Sequence, residues 1–206
     1  MKTFIRAVSV SLVLLIVSGF LYPLALTGIS QLLFSIQANG SIVLNNGKAV
    51  GSELLGQKFY DPRFFHGRVS VVNYNTYKPE DKMPDKNGKT AYAGVSSGSF
   101  NLAPSNPELV KRVENDIAEF LKANPGVKKE DIPDDLLTSS GSGLDPDISP
   151  QAARIQIPAI SKATGLSRSD LEDLVNKYTE PRQLGIFGEP RVNVLKLNVE
   201  ISNRIR

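Results

Sequence analysis

The stretch AVSVSLVLLIVSGFLYPLAL, from Ala7 to Leu26, decides the architecture of this chain because it carries no charged residue. At the rise of an α-helix it is about 30 Å long, which matches the hydrocarbon core of a bilayer. Backbone groups in lipid need internal hydrogen-bond partners, so such a segment must be helical. No second apolar run of this length follows, and the sequence therefore predicts one transmembrane helix.

A cleaved signal peptide is the alternative to an anchor. The apolar part of a signal peptide is usually about 7–15 residues long and ends at a small-x-small cleavage site. The run here is longer and no clean site follows it, which favours an uncleaved anchor. Lys2 and Arg6 precede the run, so the positive-inside rule places the N-terminus in the cytoplasm. We expect residues 1–6 in the cytoplasm, 7–27 in the membrane and 28–206 outside.

The composition excludes several functions. The chain has no cysteine, which rules out disulfides and thiolate zinc sites, and its single histidine argues against multi-histidine metal chemistry. Lys2 and Arg6 account for most of the formal charge of +3, and the rest of the chain is nearly balanced. A balanced surface gives no electrostatic case for nucleic-acid binding.

Turn and cap signals outline the domain that follows the anchor. Asn46-Gly47 between two apolar segments favours a type I′ hairpin turn, and Asn87-Gly88 favours a second hairpin tip in a polar excursion. Ser105-x-x-Glu108 forms a capping box for a first helix, with Pro107 in its first turn. Pro125-Gly126 ends that helix.

Two further helices and a strand are predicted after it. Ser149-Pro150 begins the second helix, Pro158 interrupts it and Gly165 ends it. Ser167-x-x-Asp170 caps the third. The segment RVNVLKLNVEIS, residues 191–202, alternates apolar and polar residues apart from one slip at Val194-Leu195, which predicts a half-buried strand. Strands at both ends with helices between them predict a single mixed α+β domain.

Three motifs resemble catalytic or ion-binding sites, but each lacks a residue that such a site requires. GVSSG, residues 94–98, matches a nucleophile elbow, but the triad histidine should follow the serine and His66 precedes it. NGKT, residues 87–90, ends like a phosphate-binding loop, but Met83 occupies the position of its first glycine. Met83 also occupies the first ligand position of an EF-hand-like match. His66 itself is interpreted as a structural side chain between aromatic neighbours.

SSGSGLDPDISP, residues 139–150, leaves four interpretations open. Glycine-serine loops can bind an anion, but Asp145 and Asp147 would repel phosphate. The two carboxylates could serve acid–base chemistry or bind a metal, but no companion nucleophile or further metal ligand is visible. The fourth interpretation, which the residues favour, is a rigid turn over residues 143–146 that leads into a helix cap at Ser149.

Five motifs follow the anchor in order: GSELLGQKF, DPRFFHGR, NLAPSNPEL, SSGSGLDPDISPQAA and LGIFGEPRVNVLKLN. With them, nearly the whole chain resembles the C subunit of the Kdp high-affinity potassium-transporting ATPase, the KdpC family. The family typically reads FHGRPS where this chain has Val69, and GLDPHIS where it has Asp147. The Asp147 difference weakens any role that needs an imidazole at that position.

The resemblance implies a noncatalytic accessory subunit in the bacterial plasma membrane. Its partners would be the other Kdp proteins: the channel-like subunit that conducts potassium, the P-type ATPase subunit that hydrolyses ATP, and a very small membrane subunit. The accessory subunit would promote their assembly and act as a catalytic chaperone that raises the ATP affinity of the pump. We expect no cofactor bound by this chain itself, with ATP acting through the complex and potassium as the transported ion.

The same motifs mark residues that we predict to form interfaces or structural turns, with no catalytic residue and no metal ligand among them. These candidates are Phe65, His66, Gly67, Arg68, Asn101, Ser105, Asn106, Pro107, Ser140, Gly141, Ser142, Gly143, Leu144, Asp145, Pro146, Ser149, Pro150, Gly188, Glu189, Pro190, Arg191 and Asn193.

Two other functions remain open at this point. One is an anchored extracellular hydrolase that uses Ser96 or Ser142 with His66. The other is a solute-binding outer domain, which would need a ligand pocket.

Overall fold

A computed structural model describes residues 1–92 and 94–205, and the chain divides into two compact units, Met1–Ile42 and Val43–Arg206. The first unit is mainly one long helix. Helix α1 (Lys2–Ile16) continues through a π-helical turn (Val17–Leu21) into α2 (Tyr22–Leu33), and a short α3 (Ser35–Ala38) follows. The π turn precedes Pro23, which has no N–H to continue the helical hydrogen bonds.

The helix Lys2–Leu33 is long and apolar enough to cross a membrane, and none of it is buried within the protein. It extends beyond the expected span at its C-terminal end, where it continues past residue 27 to Leu33. The assignment of residues 7–27 to the bilayer stays a prediction.

The second unit begins with the expected hairpin. Strands β1 (Ile42–Asn45) and β2 (Lys48–Ser52) flank Asn46 and Gly47, whose φ values of 52° and 74° are those of a type I′ turn. The polar excursion that follows contains 3-10 turns at Asn73–Asn75 and Pro79–Lys82. It ends in the expected tip around Gly88, where the amide of Asp85 donates to the carbonyl of Lys89 at 2.8 Å.

Helices and a small sheet make up the rest of the unit. The helices are α4 (Pro107–Ala123), α5 (Asp134–Leu137), α6 (Pro150–Arg154), α7 (Ile157–Thr164), α8 (Arg168–Tyr178) and α9 (Val194–Arg204). Strands β3 (Asp147–Ile148), β4 (Thr179–Glu180) and β5 (Arg191–Asn193) form an antiparallel sheet in the order β3-β5-β4. Asp147 pairs with Asn193, and Thr179 pairs with Val192. The α+β class is confirmed.

One apolar core joins these elements. Its buried members come from the segments before and after α4, from helices α5 to α9 and from strands β3 and β5: Phe65, Ile132, Leu136, Ile148, Ala152, Ala153, Ile157, Ile160, Leu171, Leu174, Val175, Val192, Val194, Leu197 and Ile201.

The predicted final strand is wrong over most of its length. Only Arg191–Asn193 is a strand, and Val194–Arg204 is helix α9. The Asn193 side chain accepts a hydrogen bond from the amide of Lys196 at 3.1 Å and caps the helix. The adjacent Val194 and Leu195 are both buried, which one face of a strand does not allow.

The capping box at Ser105 is also wrong. The residue that caps α4 is Asn106, whose side chain accepts from the amide of Glu108 at 2.9 Å. The caps at Ser149 and Ser167 are confirmed, at 3.0 Å each from the amides of Ala152 and Asp170. The helix between Ser149 and Gly165 is interrupted as expected, since Pro158 lies in the first turn of α7.

Candidate functional site

The serine-glycine loop, residues 139–150, is folded by its own side chains. The Ser140 hydroxyl accepts from the amide of Gly143 at 2.7 Å, and the Ser142 hydroxyl accepts from the amide of Leu144 at 3.0 Å. Gly143 has a φ of 68°, a conformation that favours glycine. The bends fall at residues 141–143, and Leu144 to Pro146 are not part of a turn. The turn predicted over residues 143–146 therefore lies earlier in the chain.

Two other segments bind to the backbone of this loop. The carbonyl of Leu144 accepts from the amide of Gly56 at 2.8 Å. The carbonyl of Ser142 accepts from the amide of Gly98 at 2.8 Å and from the Ser97 hydroxyl at 3.1 Å. A Cβ atom at Gly56 would overlap the carbonyl oxygen of Asp145, so the approach of these two chain segments requires glycine.

The end of the FFHGR motif and the residues after it form a third attachment. The Arg68 guanidinium donates to the Asp145 carboxylate at 2.8 Å, and the Ser70 hydroxyl donates to the carbonyl of Gly143 at 2.6 Å. The Tyr74 hydroxyl donates to the carbonyl of Arg68 at 2.6 Å. Burial, more than any neighbouring charge, raises the pKa of Tyr74 to about 12, so this hydroxyl keeps its proton.

The C-terminal strand and helix form a fourth attachment. The amide of Val194 donates to the carbonyl of Pro146 at 3.0 Å. The Arg191 guanidinium lies 3.2 Å from the Asp147 carboxylate. The Asn193 amide group donates to the carbonyl of Glu53 at 2.9 Å. Burial is the main cause that raises the pKa of Asp147, the charge of Asp145 adds to it, and Arg191 opposes both.

Two buried carboxamides hold the FFHGR motif itself. The Asn198 side chain accepts from the amide of Phe65 at 2.8 Å and donates to its carbonyl at 2.9 Å. The Gln156 side chain accepts from the amide of His66 at 2.8 Å and donates to its carbonyl at 3.2 Å. Each carboxamide pairs with both backbone polar groups of one residue, as a neighbouring strand would.

Asn198 and Gln156 were missed by the sequence reasoning. Asn198 lies between the apolar residues Leu197 and Val199, on the face that α9 buries. A carboxamide at a buried position of an apolar helix face needs a hydrogen-bond partner, and that signal could have identified it.

The structure thus gathers most of the predicted residues around one junction of loops and leaves the others apart. The gathered residues are Phe65, His66, Gly67, Arg68, Ser140, Gly141, Ser142, Gly143, Leu144, Asp145, Pro146, Ser149, Pro150, Arg191 and Asn193. Glu189 and Pro190 are exposed and line a cleft beside Asp145. The others lie in exposed loops or at the start of α4, namely Asn101, Ser105, Asn106, Pro107 and Gly188.

The polar groups of this junction form hydrogen bonds and ion pairs with one another. In the described part of the chain, His66 shares no hydrogen bond with Ser96 or Ser142. Burial lowers the pKa of His66, although a hydrogen bond with the backbone of Phe59 and the charge of Asp61 act in the opposite direction. Within residues 1–92 and 94–205, no group of three or more histidine or carboxylate side chains could hold a metal.

Two surface clefts flank the junction. One has a volume of about 290 Å³ and is lined in part by His66, Arg68, Tyr74 and Glu119. The other has a volume of about 430 Å³, with Asp145, Asp147, Glu189 and Arg191 among its lining residues.

Known proteins match this chain from end to end. A family model described as KdpC, the K+-transporting ATPase c chain, matches residues 4–203. The potassium-transporting ATPase KdpC subunit of Clostridioides difficile (strain 630) is 61% identical over 98% of this chain and 97% of its own length. The protein of that name from Clostridium kluyveri is 58% identical over 100% of this chain and 97% of its own length. The one from Caldanaerobacter subterraneus subsp. tengcongensis is 48% identical over 98% of this chain and 95% of its own length. The chain therefore belongs to the KdpC family of potassium-transporting ATPase subunits.

Proposed function

We propose that this chain is a noncatalytic subunit that assembles and stabilises a potassium-transporting ATPase complex in the bacterial plasma membrane. Its N-terminal helix anchors it, with residues 1–6 in the cytoplasm and residues 28–206 outside. Its partners are the three other Kdp proteins, namely the channel-like subunit, the P-type ATPase subunit and the very small membrane subunit.

This proposal is supported by the hydrogen bonds and ion pairs of the candidate residues, which are made to other parts of the same chain. Arg68 pairs with Asp145, the Ser140 hydroxyl binds the loop backbone, and Asn193 bridges to Glu53. These contacts fix the relative positions of loops that are far apart in the chain. Residues committed to holding backbone in place suit a rigid assembly surface better than a reaction site.

The effect on ATP is proposed to pass through the complex. The sequence contains no Asp-Lys-Thr-Gly-Thr phosphorylation motif and no complete phosphate-binding loop. In the proposed topology the serine-glycine loop lies outside, whereas ATP is inside. The chain would then raise the ATP affinity of the pump subunit by stabilising one of its conformations, without contacting the nucleotide.

Recovery of partners from the membrane tests the assembly role. A tagged chain is purified in mild detergent from potassium-starved cells, and the recovered proteins are identified by mass spectrometry. We expect the channel-like, pump and small Kdp subunits to accompany it. Recovery of the chain alone, with those subunits demonstrably present in the same membranes, would overturn the proposal.

A labelling experiment tests the indirect role of ATP. Membranes of known orientation receive a photoreactive ATP analogue on the cytoplasmic side only, and labelled peptides are mapped. We expect labels on the pump subunit and none on residues 139–150. A label at Ser142 would contradict both the topology and the indirect role.

A further inference from the structure

A hairpin between α8 and α9 presents an apolar tip to solvent. The apolar tip consists of Leu184, Ile186 and Phe187, whose exposed fractions are 88%, 72% and 62%. The domain has an extensive core elsewhere, so these three side chains are not left outside for lack of one. Adjacent exposed apolar residues of this kind often mark a contact with another molecule.

The hairpin that carries the tip is well ordered by its own contacts. The amide of Gln183 donates to the carbonyl of Phe187, and the amide of Phe187 donates to the carbonyl of Gln183, both at 2.9 Å. An ion pair at 2.5 Å between Arg182 and Glu189 joins the two arms of the hairpin. Because the tip is held in one shape, its docking would lose little conformational entropy.

The backbone conformation of Leu184 is the strongest evidence for a contact with another molecule. Leu184 and Gly185 have φ values of 53° and 74°, and the hairpin turn at Asn46 and Gly47 has values of 52° and 74°. Asparagine adopts this left-handed conformation readily, whereas a leucine is strained in it. With 88% of Leu184 exposed, no packing within the described chain offsets that strain. The side chain is therefore suited to a contact outside this chain.

The charges around the tip indicate the kind of partner. Arg182 and Glu189 are the only charged residues between positions 182 and 189, and they neutralise each other. A loop that binds an anionic membrane surface carries an excess of lysine or arginine, and this one has no excess cation. A neutral apolar tip complements an apolar, uncharged groove in a protein.

We infer that Leu184, Ile186 and Phe187 dock into an apolar groove on another subunit of the potassium-transporting ATPase. This inference rests on the proposed function, since it names the surface through which the assembly role acts. The hairpin fixes the shape of the contact, and the three side chains supply the apolar area that is removed from water.

Replacing the strained leucine by the residue its backbone favours separates docking from folding. Leu184→Asn should leave the melting temperature of the full-length chain unchanged or higher, because it relieves the backbone strain. Recovery of the other subunits with the tagged chain should fall by about tenfold, the effect of losing one buried apolar anchor. Val95→Asn is the matched control, because Val95 is 82% exposed in a different loop; its recovery should equal that of the wild-type chain.

Each outcome of this comparison decides one question. Equal recovery by wild-type, Leu184→Asn and Val95→Asn chains would overturn the inference and leave the proposed function intact. Failure of the wild-type chain to recover any subunit would overturn the proposed function itself. Equal loss with Leu184→Asn and Val95→Asn would also overturn the inference, since the effect would not be specific to the tip.

Cross-linking identifies what covers the tip. The chain has no cysteine, so Phe187→Cys and Val95→Cys each provide one attachment point in this chain for a benzophenone maleimide. Within the full complex, we expect the label at position 187 to form an adduct with another subunit and the label at position 95 to form none. Adducts of the position-187 label with lipid alone, or with no molecule, would overturn the inference.

Discussion

The Arg68 guanidinium lies 2.8 Å from the Asp145 carboxylate and joins two loops that are 77 residues apart in the chain. About a quarter of each side chain is exposed. The same guanidinium donates to the Thr138 hydroxyl at 3.2 Å, while its buried Nε atom has no partner among the described residues. The pair is therefore a central tie between the FFHGR motif and the serine-glycine loop.

Breaking this ion pair should destabilise the domain. Arg68→Gln should lower the free energy of unfolding by about 1–3 kcal/mol, because the largely buried Asp145 would lose its counter-ion. Chemical denaturation of the full-length chain in detergent, followed by near-UV circular dichroism, measures the change. Asp145→Asn should act similarly, and the double variant should lose less than the two single variants combined. Strict additivity would show that the two side chains are not coupled.

The Asn198 carboxamide should contribute more than an exposed one. Asn198→Ala leaves the buried amide and carbonyl of Phe65 without partners, so we expect a loss of about 2–4 kcal/mol in the free energy of unfolding. Asn176→Ala is the control, because the exposed side chain of Asn176 accepts from Arg154 and makes no other hydrogen bond within the described residues; it should change stability by less than about 0.5 kcal/mol. Equal effects from the two variants would contradict the structural role of Asn198.

Two glycines in the same loop should differ sharply. A Cβ atom at Gly143 would lie 2.8 Å from the Val72 Cγ2 atom, and the φ of Gly143 is 68°, whereas a Cβ at Gly141 meets no described atom within 4 Å. Gly143→Ala should therefore cost about 2 kcal/mol or more, and Gly141→Ala less than about 0.5 kcal/mol. Melting temperatures of the two variants test this, and a reversed order would refute the described loop conformation.

The start of α4 offers a test of the corrected cap. Asn106→Ala should lower the free energy of unfolding by about 1 kcal/mol, because the amide of Glu108 loses its acceptor. Ser105→Ala should have little effect. If Ser105→Ala proved the more damaging change, the capping box expected from sequence would be right after all.

The pH dependence of stability should contain a contribution from His66. Its folded-state pKa lies below the ordinary value of 6.5, chiefly because the ring is buried. As pH falls through 6.5 towards that lower pKa, the unfolded chain takes up a proton that the folded chain binds less readily, so this contribution to stability is lost. His66→Gln should flatten the fall in melting temperature between about pH 7.5 and about pH 5.5.

The melting temperatures of the wild-type and His66→Gln chains are not compared at lower pH because Asp147 titrates there. Asp147 has a raised pKa, so the folded chain takes up its proton more readily than the unfolded chain and stability increases as it titrates at lower pH. Equal slopes for the wild-type and His66→Gln chains would rule out the predicted linkage.

The sequence predicted correctly the turns and helix starts that depend on residues close together in the chain. Asn46-Gly47 predicted its hairpin, and Ser149 and Ser167 predicted their helix starts, because each acts on residues two or three positions away. Helix α9 was predicted as a strand because the residues from Leu195 onward alternate apolar and polar, as those of β5 do. The adjacent buried pair Val194 and Leu195 was the sign that the period had changed from that of a strand to that of a helix.

The candidate site was predicted as a set of residues but not as an arrangement. The motifs placed Arg68, Asp145 and Asn193 among the candidates, yet no spacing along the chain shows that Arg68 meets Asp145 or that Asn193 meets Glu53. Such partners depend on the packing of the whole domain. Asn198 was missed for the same reason, since its partner Phe65 is 133 residues away.

The distance from Phe65 to Asn198 has a consequence for how the protein is made. Phe65, buried completely in the core, depends on a helix close to the C-terminal end of the chain, and the carbonyl of Glu53 depends on Asn193. The early loops cannot settle until α9 has been synthesised and has packed. A chain that stops before α9 would leave its core open to proteases, so a stable domain requires synthesis through α9.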